Sequence, residues 1–462
     1  MLKNSSYLFG SNSISAVLSM VSTIFATRLL GIGGLGLVAI VQTFASNINR
    51  LLSFRMSEVV VKYLGQALAS ESKDAAEAMA EKISTRKSNP INLQAAAIVK
   101  GIGLIEVCTS TAAYLVLVLL ATWAARLIAK DIATASFFSF YGLMLLGNLV
   151  YETSTGVLQA HKRFDRLAII NTIQSVVTLI LVVLAYFLKL GVLAILGAYL
   201  IGKALAGISI SILAFRQMNR SLGSGWWRAS LREVPGWRGI LGFAINTNLN
   251  GTVNLITRDN IPLYLGALSP AASAQDFTGY FKLGLSLINF VILPIDPFIW
   301  PTYAEITRTI AQKQWQATRT LLKRVSSIAG TWTLAATAGI ALLGWWLIPI
   351  VFGPNTSPVY PLTLILLIGY GIANIINWNR PLLLALGKPA YPLLIAVGVG
   401  AIEILLILWL VPARGYLTMA AILSGYLAFS ICLTAWRGWQ EIRVHEAKDV
   451  LLVEPTAKDI QV

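Results

Sequence analysis

Long apolar runs recur along the chain, with shorter polar segments between them. An α-helix needs about 20 residues to cross the roughly 30 Å of hydrocarbon in a bilayer. Twelve runs of about that length are present, at residues 7–28, 34–54, 102–124, 136–158, 167–188, 191–215, 240–265, 279–301, 328–351, 361–385, 391–411 and 416–436. The pattern predicts an all-α integral membrane protein with about 12 transmembrane helices.

Basic residues between the runs predict how the chain is oriented. Twelve spans place both termini on one side of the membrane, and 26 of the 36 Lys and Arg residues lie in the segments on that side, against 4 on the other. Because cytoplasmic segments carry an excess of Lys and Arg, both termini are predicted to be cytoplasmic. Within the long inner segment 57–98, residues 67–87 are predicted to form a surface helix.

Composition narrows the class of protein further. Of the 462 residues 56% are hydrophobic and 12% charged, with a mean hydropathy of +0.71. Soluble domains carry about 25% charged residues, so a soluble enzyme, a disordered chain and a nucleic-acid-binding module are excluded. The two cysteines and two histidines are not spaced as metal ligands. We therefore expect no bound metal, no cofactor and no nucleic-acid partner.

An internal repeat is visible across the two halves of the chain. The first and seventh runs each have a Phe, at Phe9 and Phe243, that precedes a terminal Gly by 22 or 23 residues, and Gly36 and Gly279 open the runs that follow. Such a parallel repeat predicts two six-helix lobes related by an axis along the membrane normal, an arrangement typical of transporters. The predicted lobes are 1–220, which includes the inner segment 57–98, and 221–440, followed by a cytoplasmic tail at 441–462.

Three stretches resemble a known family. They are Arg28-Leu29-Leu30-Gly31 leading to Gly36-Leu37-Val38-Ala39, Gly156-Val157-Leu158-Gln159-Ala160 running through Arg163-Phe164 to Asn171, and Gly279-Tyr280-Phe281 leading to Pro301. The chain resembles the polysaccharide transporter (Wzx-like O-antigen flippase) branch of the multidrug/oligosaccharidyl-lipid/polysaccharide exporter superfamily.

The resemblance implies a function. Members of that branch move a polyprenyl-diphosphate-linked oligosaccharide from the cytoplasmic to the outer leaflet by alternating access, for cell-surface polysaccharide synthesis. It implies a multi-pass protein of a bacterial or archaeal cytoplasmic (inner) membrane that is not an enzyme. It further implies a cleft lined by spans 1, 2, 7 and 8, contact with membrane lipids, H⁺ or Na⁺ as coupling ion, and a polysaccharide polymerase and chain-length regulator as partners.

A polar stripe in the seventh run is the clearest candidate for a substrate-binding cleft. Asn246, Asn250 and Asn254 are spaced i, i+4, i+8, and Arg258 continues the spacing, followed by Asp259. This spacing places them on one face of an α-helix. Such a face is suited to sugar hydroxyls, although interhelical hydrogen bonding and, for Arg258 and Asp259, a structural ion pair with a neighbouring span are the alternatives.

Two more cations are candidates for binding the diphosphate. Arg28 and Lys282 lie towards the same predicted outer side as Arg258. An Arg fork matches phosphate oxygens in geometry and charge. The alternative for Arg28 and Lys282 is that their side chains extend to lipid headgroups.

Five ionisable residues inside the runs are candidates for ion coupling. A charge at the bilayer centre is costly, so it generally faces a cavity or a partner. A structural ion pair, or for the Pro-flanked aspartate a bent helix near the headgroups, is the alternative. The candidates are Lys203, Asp296, Glu403, Glu106 and Glu152.

Two other functions remain open on the sequence. A multidrug exporter of the same superfamily, coupled to Na⁺ or H⁺, would depend on a deep carboxylate. An integral membrane glycosyltransferase or polysaccharide polymerase would need long outer loops or an acidic catalytic motif.

Overall fold

The computed structural model describes residues 2–52, 56–67, 90–234 and 236–453. Within these ranges every regular element is a helix, which confirms the all-α prediction. Most of the predicted surface helix at 67–87 and the end of the predicted tail fall outside the described residues. The α-helices are α1 (Leu2–Leu52), α2 (56–67), α3 (Pro90–Leu127), α4 (Ala135–Gly142), α5 (Met144–Gly147), α6 (Tyr151–Ala160), α7 (Phe164–Phe187), α8 (Val192–Leu222), α9 (Trp237–Asn254), α10 (Ile261–Leu268), α11 (Ala274–Ile292), α12 (Ile299–Ala311), α13 (Trp315–Phe352), α14 (Val359–Ile375), α15 (Asn379–Ala385), α16 (Ala390–Arg414) and α17 (Tyr416–Val453).

The described helices include enough apolar spans for a multi-pass membrane protein. Nine helices are long and apolar enough to cross a bilayer, and the pair formed by α11 and α12, bent by 51°, makes a tenth. One of the nine, Gly10–Leu52, is 43 residues long, about twice what a single crossing needs. The total of twelve spans and the cytoplasmic position of the termini stay predictions.

The length of α1 is explained by a kink at Gly31. This residue has φ 70° and ψ −178°, a backbone conformation outside the helical region that residues with a Cβ rarely adopt. The helices on either side correspond to the predicted spans 7–28 and 34–54. Gly31 therefore turns the chain from one span into the next without an intervening loop.

The chain divides into two compact units. The first consists of Met1–Leu30 and Leu37–Ala267, and its core joins residues such as Val60 of α2, Ile102 of α3 and Ile210 of α8. The helices α9 and all but the last residue of α10 belong to this unit. The division into two six-helix lobes at residue 220, which was based on the internal repeat, stays a prediction.

The second unit consists of Gly31–Gly36 and Leu268–Val462. One part of its core surrounds Trp378, which lies before α15 and whose ring packs edge-on against Trp439 of α17, 5.9 Å between centroids. The Trp378 indole also donates to the Ser326 hydroxyl of α13, at 2.7 Å. These contacts tie α13 and α17 together around the turn between α14 and α15.

Two glycines of the second unit meet backbone to backbone. A Cβ on Gly36 would overlap the carbonyl oxygen of Gln275 and lie 2.8 Å from the Gly279 nitrogen. A Cβ on Gly279 would in turn overlap the carbonyl oxygen of Ile32. The contact is reciprocal, because each glycine faces the residue four positions before the other. Here α1 and α11 approach so closely that only glycine fits.

Candidate functional site

The helical path between α9 and α10 contains a π-helical turn. The turn comprises Leu255–Asp259, and Pro262 follows it at the start of α10. Proline has no N–H to donate to the carbonyl four residues earlier, so a regular α-helix cannot pass through this point with all its bonds made. The Tyr264 hydroxyl donates to the Ile256 carbonyl, at 3.0 Å, and so supplies the π turn with a side-chain hydrogen bond.

The last member of the predicted stripe lies in the π turn. A π turn has more residues per turn than an α-helix and is often found at functional sites. Arg258 lies inside it, four residues after Asn254 at the end of α9. Both side chains are exposed. Asn246 and Asn250 lie in α9, but their side chains are outside those that the structure describes, so their place in the cleft stays a prediction.

The end of the π turn is joined to α1 by two polar contacts. Arg50 forms an ion pair with Asp259, and the Asn47 amide donates to the Asn260 side-chain oxygen. Asn47 and Arg50 are three residues apart, so they share a face of α1. Asp259 therefore has the structural ion pair with a neighbouring span that was the alternative to substrate binding. Its role in binding stays a prediction.

One partner of the ion pair, Asp259, lies well inside its predicted span. Gly266 of α10 packs against Ile40 of α1, with a Cβ position 3.2 Å from the Ile40 side chain, and the Arg50–Asp259 pair follows further along both helices. Asp259 is nine residues before the end of α10, about 13 Å at 1.5 Å per residue. In a hydrocarbon layer of about 30 Å this would place Asp259 near the middle, whereas Arg50 lies in the last turn of α1.

The pair is open on one side despite the depth of Asp259. The Arg50 side chain is 53% exposed and that of Asp259 41%. Exposed charges at mid-membrane are tolerated where they line water. We call Asn47, Arg50, Arg258, Asp259 and Asn260 the mid-span cluster. Its two arginines outnumber its one acid, so its net charge is positive.

Three members of this cluster, Asn47, Arg50 and Asn260, were not among the candidate site residues from the sequence. The signal was present in the spacing of Asn47 and Arg50, one helical turn apart in an apolar run, and in the adjacency of Asn260 to the Arg258-Asp259 pair.

The other predicted substrate-binding cations are placed separately. Arg28 is exposed on the first part of α1, in the first unit. Lys282 is half-buried on α11, in the second unit. Whether they join the mid-span cluster stays a prediction.

Among the predicted ion-coupling residues, Glu106 has the most defined surroundings. Its carboxylate is 1% exposed and accepts the backbone N–H groups of Glu152 and Thr153, both at 2.8 Å. These are unpaired donors at the start of α6, so Glu106 caps a helix that begins in the middle of an apolar segment. The Glu152 carboxylate in turn accepts from the Ser57 hydroxyl, at 2.5 Å.

The remaining candidates are dispersed. Lys203 is half-buried on α8, in the first unit, and Glu403 is 2% exposed on α16, in the second. Asp296 is exposed in a short 3₁₀ turn between α11 and α12, where the adjacent prolines interrupt the helix as expected. Their part in ion coupling stays a prediction. Among the described residues, no three His, Cys, Asp or Glu side chains come together as metal ligands.

Comparisons with known proteins agree on fold and family. A family model described as polysaccharide biosynthesis protein matches residues 98–361, more than half of the chain. The inner membrane protein YghQ of Escherichia coli strain K12 is 24% identical over 365 residues, which cover 78% of this chain and 95% of that protein.

Solved structures of transporters share the fold. One, described as the inward-facing conformation of a multidrug resistance MATE family transporter of the MOP superfamily, matches with a TM-score of 0.64 at 12% identity, over 94% of both chains. A MOP superfamily transporter from Pyrococcus furiosus, described as having a binding pocket of reverse polarity, matches with a TM-score of 0.59 at 12% identity, over 96% of this chain and 95% of that one. The chain is thus a multi-pass inner-membrane protein with a MOP transporter fold, as predicted.

Proposed function

The chain belongs to the polysaccharide biosynthesis protein family, and on that premise we propose that it flips a polyprenyl-diphosphate-linked oligosaccharide from the cytoplasmic to the outer leaflet by alternating access. Family and fold together make the chain a membrane exporter and not an enzyme. This confirms the expectation from sequence and removes the glycosyltransferase or polymerase alternative.

The mid-span cluster is the observation that carries the proposal. A lipid-linked oligosaccharide presents a doubly charged anion and many hydroxyl groups to the path it crosses. Arg258 offers the diphosphate a planar fork of donors. Asn47 and Asn260 offer amide donors and acceptors of the kind that hydroxyl groups need.

The charge of the cluster also favours an anionic over a cationic substrate. The cluster contains the two arginines Arg50 and Arg258 and the single acid Asp259, which pairs with Arg50. A site for organic cations would instead present an unopposed carboxylate. The multidrug exporter is therefore the less favoured alternative, and the experiment below separates the two.

The test is a flipping assay with purified protein in liposomes. A fluorescent polyprenyl-diphosphate oligosaccharide is placed in one leaflet, and its appearance in the other is followed with and without an imposed proton or sodium gradient. Arg258→Gln is compared with Arg126→Gln, an exposed arginine near the end of α3 in the same unit. A lost charged hydrogen bond of about 1.5–3 kcal/mol predicts a fall of about 10- to 150-fold for Arg258→Gln.

The outcomes divide the alternatives. Protein-dependent flipping that Arg258→Gln loses and Arg126→Gln keeps supports the proposal, and the gradient arm identifies H⁺ or Na⁺ as the coupling ion. Wild-type flipping by Arg258→Gln removes that residue from the site. Absence of flipping together with gradient-driven movement of an organic cation would replace the flippase with the drug exporter.

A further inference from the structure

The last two turns of α8 and the connection that follows them are strongly basic and lie outside the mid-span cluster. We call residues 215–234, which include the end of α8, the basic strap. It carries Arg216, Arg220, Arg228 and Arg232 against a single acid, Glu233, and all five of these side chains are exposed. The strap joins the ends of two helices on the side predicted to be cytoplasmic.

The strap is folded, with one side fixed to the protein. It contains two 3₁₀ turns, Trp226–Arg228 and Leu231–Glu233. Between them Ala229 is buried, and its carbonyl accepts from the Lys100 ammonium group of α3, at 2.9 Å. Val234 is buried at the other end and belongs to the same core as Ala229. These contacts fix the connection to the first unit.

The exposed side chains of the strap include large apolar groups as well as the arginines. Phe215, Trp227 and Leu231 are 45%, 49% and 38% exposed. The Arg228 guanidinium lies 4.8 Å from the centre of the Trp227 ring. Aromatic and aliphatic side chains beside arginines are the composition of segments that lie in the headgroup region, with the apolar groups dipping towards the acyl chains.

From these features we propose that the basic strap binds anionic phospholipid headgroups of the cytoplasmic leaflet, with Trp227 and Leu231 inserted at the boundary between headgroups and acyl chains. The four arginines are distributed from residue 216 to residue 232. This spacing suits several separate lipid headgroups better than one compact diphosphate. A lipid surface also covers the exposed apolar side chains, which a soluble anion would leave in water.

The experiment measures quenching of Trp227 by brominated lipids in the full-length protein. The protein is reconstituted in phosphatidylcholine containing either brominated phosphatidylglycerol or brominated phosphatidylcholine. The emission of Trp227 is obtained as the difference between each protein and its Trp227→Phe derivative. The variant is Arg228→Gln/Arg232→Gln, and the matched control is Lys323→Gln/Arg324→Gln, which removes the same charge from exposed positions of α13.

The expected result is a preference of about 30-fold for phosphatidylglycerol around Trp227, since Arg228 and Arg232 beside it each contribute about 1 kcal/mol near an anionic surface. The preference should fall close to one in Arg228→Gln/Arg232→Gln and stay unchanged in the control. Equal quenching by both lipids in the unmodified chain, or an equal loss in both double variants, overturns the proposal. Displacement of the lipid preference by millimolar pyrophosphate would also overturn it, because the strap would then be a diphosphate site.

Discussion

The reciprocal contact between Gly36 and Gly279 predicts that a single methyl group at either position destabilises the protein. In Gly279→Ala the added Cβ would overlap the Ile32 carbonyl oxygen and lie 2.9 Å from its carbonyl carbon. Cβ atoms essentially never approach a heavy atom within 3.0 Å. The group in the way is backbone, so no change of side-chain rotamer relieves the overlap, and α1 and α11 must move apart.

The magnitude follows from that geometry. Overpacking that forces the backbone to shift costs about 1–3 kcal/mol, and we expect Gly36→Ala and Gly279→Ala to be at the upper end or beyond. Gly339→Ala in α13 and Gly398→Ala in α16 are matched controls, because a Cβ there meets nothing within 4 Å. Replacing these helical glycines should be neutral or stabilise by up to about 1 kcal/mol.

The assay is thermal unfolding of the four purified variants in one detergent, followed by flipping activity in liposomes. We expect the melting temperature to fall for the variants at the contact and to stay level or rise for the controls. If Gly36→Ala and Gly279→Ala melt with the controls, the close approach of α1 and α11 is wrong as described.

Two further predictions concern the interrupted helices. Glu106→Gln should lower the melting temperature by the equivalent of about 1–3 kcal/mol, because the amide leaves the N–H of Glu152 or Thr153 facing another donor; a variant that melts normally but loses gradient-driven transport would make Glu106 a coupling residue instead of a cap. Tyr264→Phe should cost about 1 kcal/mol by leaving the Ile256 carbonyl of the π turn without its hydroxyl donor, and an unchanged melting temperature would show that this bond does not support the turn.

Much of the fold follows from hydropathy alone. The predicted run 391–411 corresponds to α16 (Ala390–Arg414), and the run 167–188 to α7 (Phe164–Phe187). The run 328–351 is shorter than α13, which begins at Trp315. Hydropathy detects the part of a helix that lies in hydrocarbon. The helix can extend beyond that part where one of its faces still packs against the protein.

The candidate site was less accessible to sequence reasoning. The stripe from Asn246 to Arg258 was derived for a regular α-helix, and no feature of the sequence predicted the π turn at Leu255–Asp259. Pro262 indicates that the helix is irregular near this point, but it does not predict that the irregularity is a π turn. The pairing of Asp259 with Arg50 joins residues 209 positions apart. Packing between helices decides such contacts, and periodicity within one helix contains no information about them.

The glycine contact also bears on how the chain arose. In the predicted repeat Gly36 is the counterpart of Gly279, so a contact in which each faces the other's helix is the kind that two identical chains make across a twofold axis. A six-helix ancestor would have met a second copy of itself through this surface. Next to it Gly33 now faces its own counterpart, Asp276, with a Cβ position 2.7 Å from the carboxylate oxygen. If the repeat holds, a symmetric pair would place two aspartates or two glycines there, so this fit of a small residue against a large one requires two joined copies that differ in sequence.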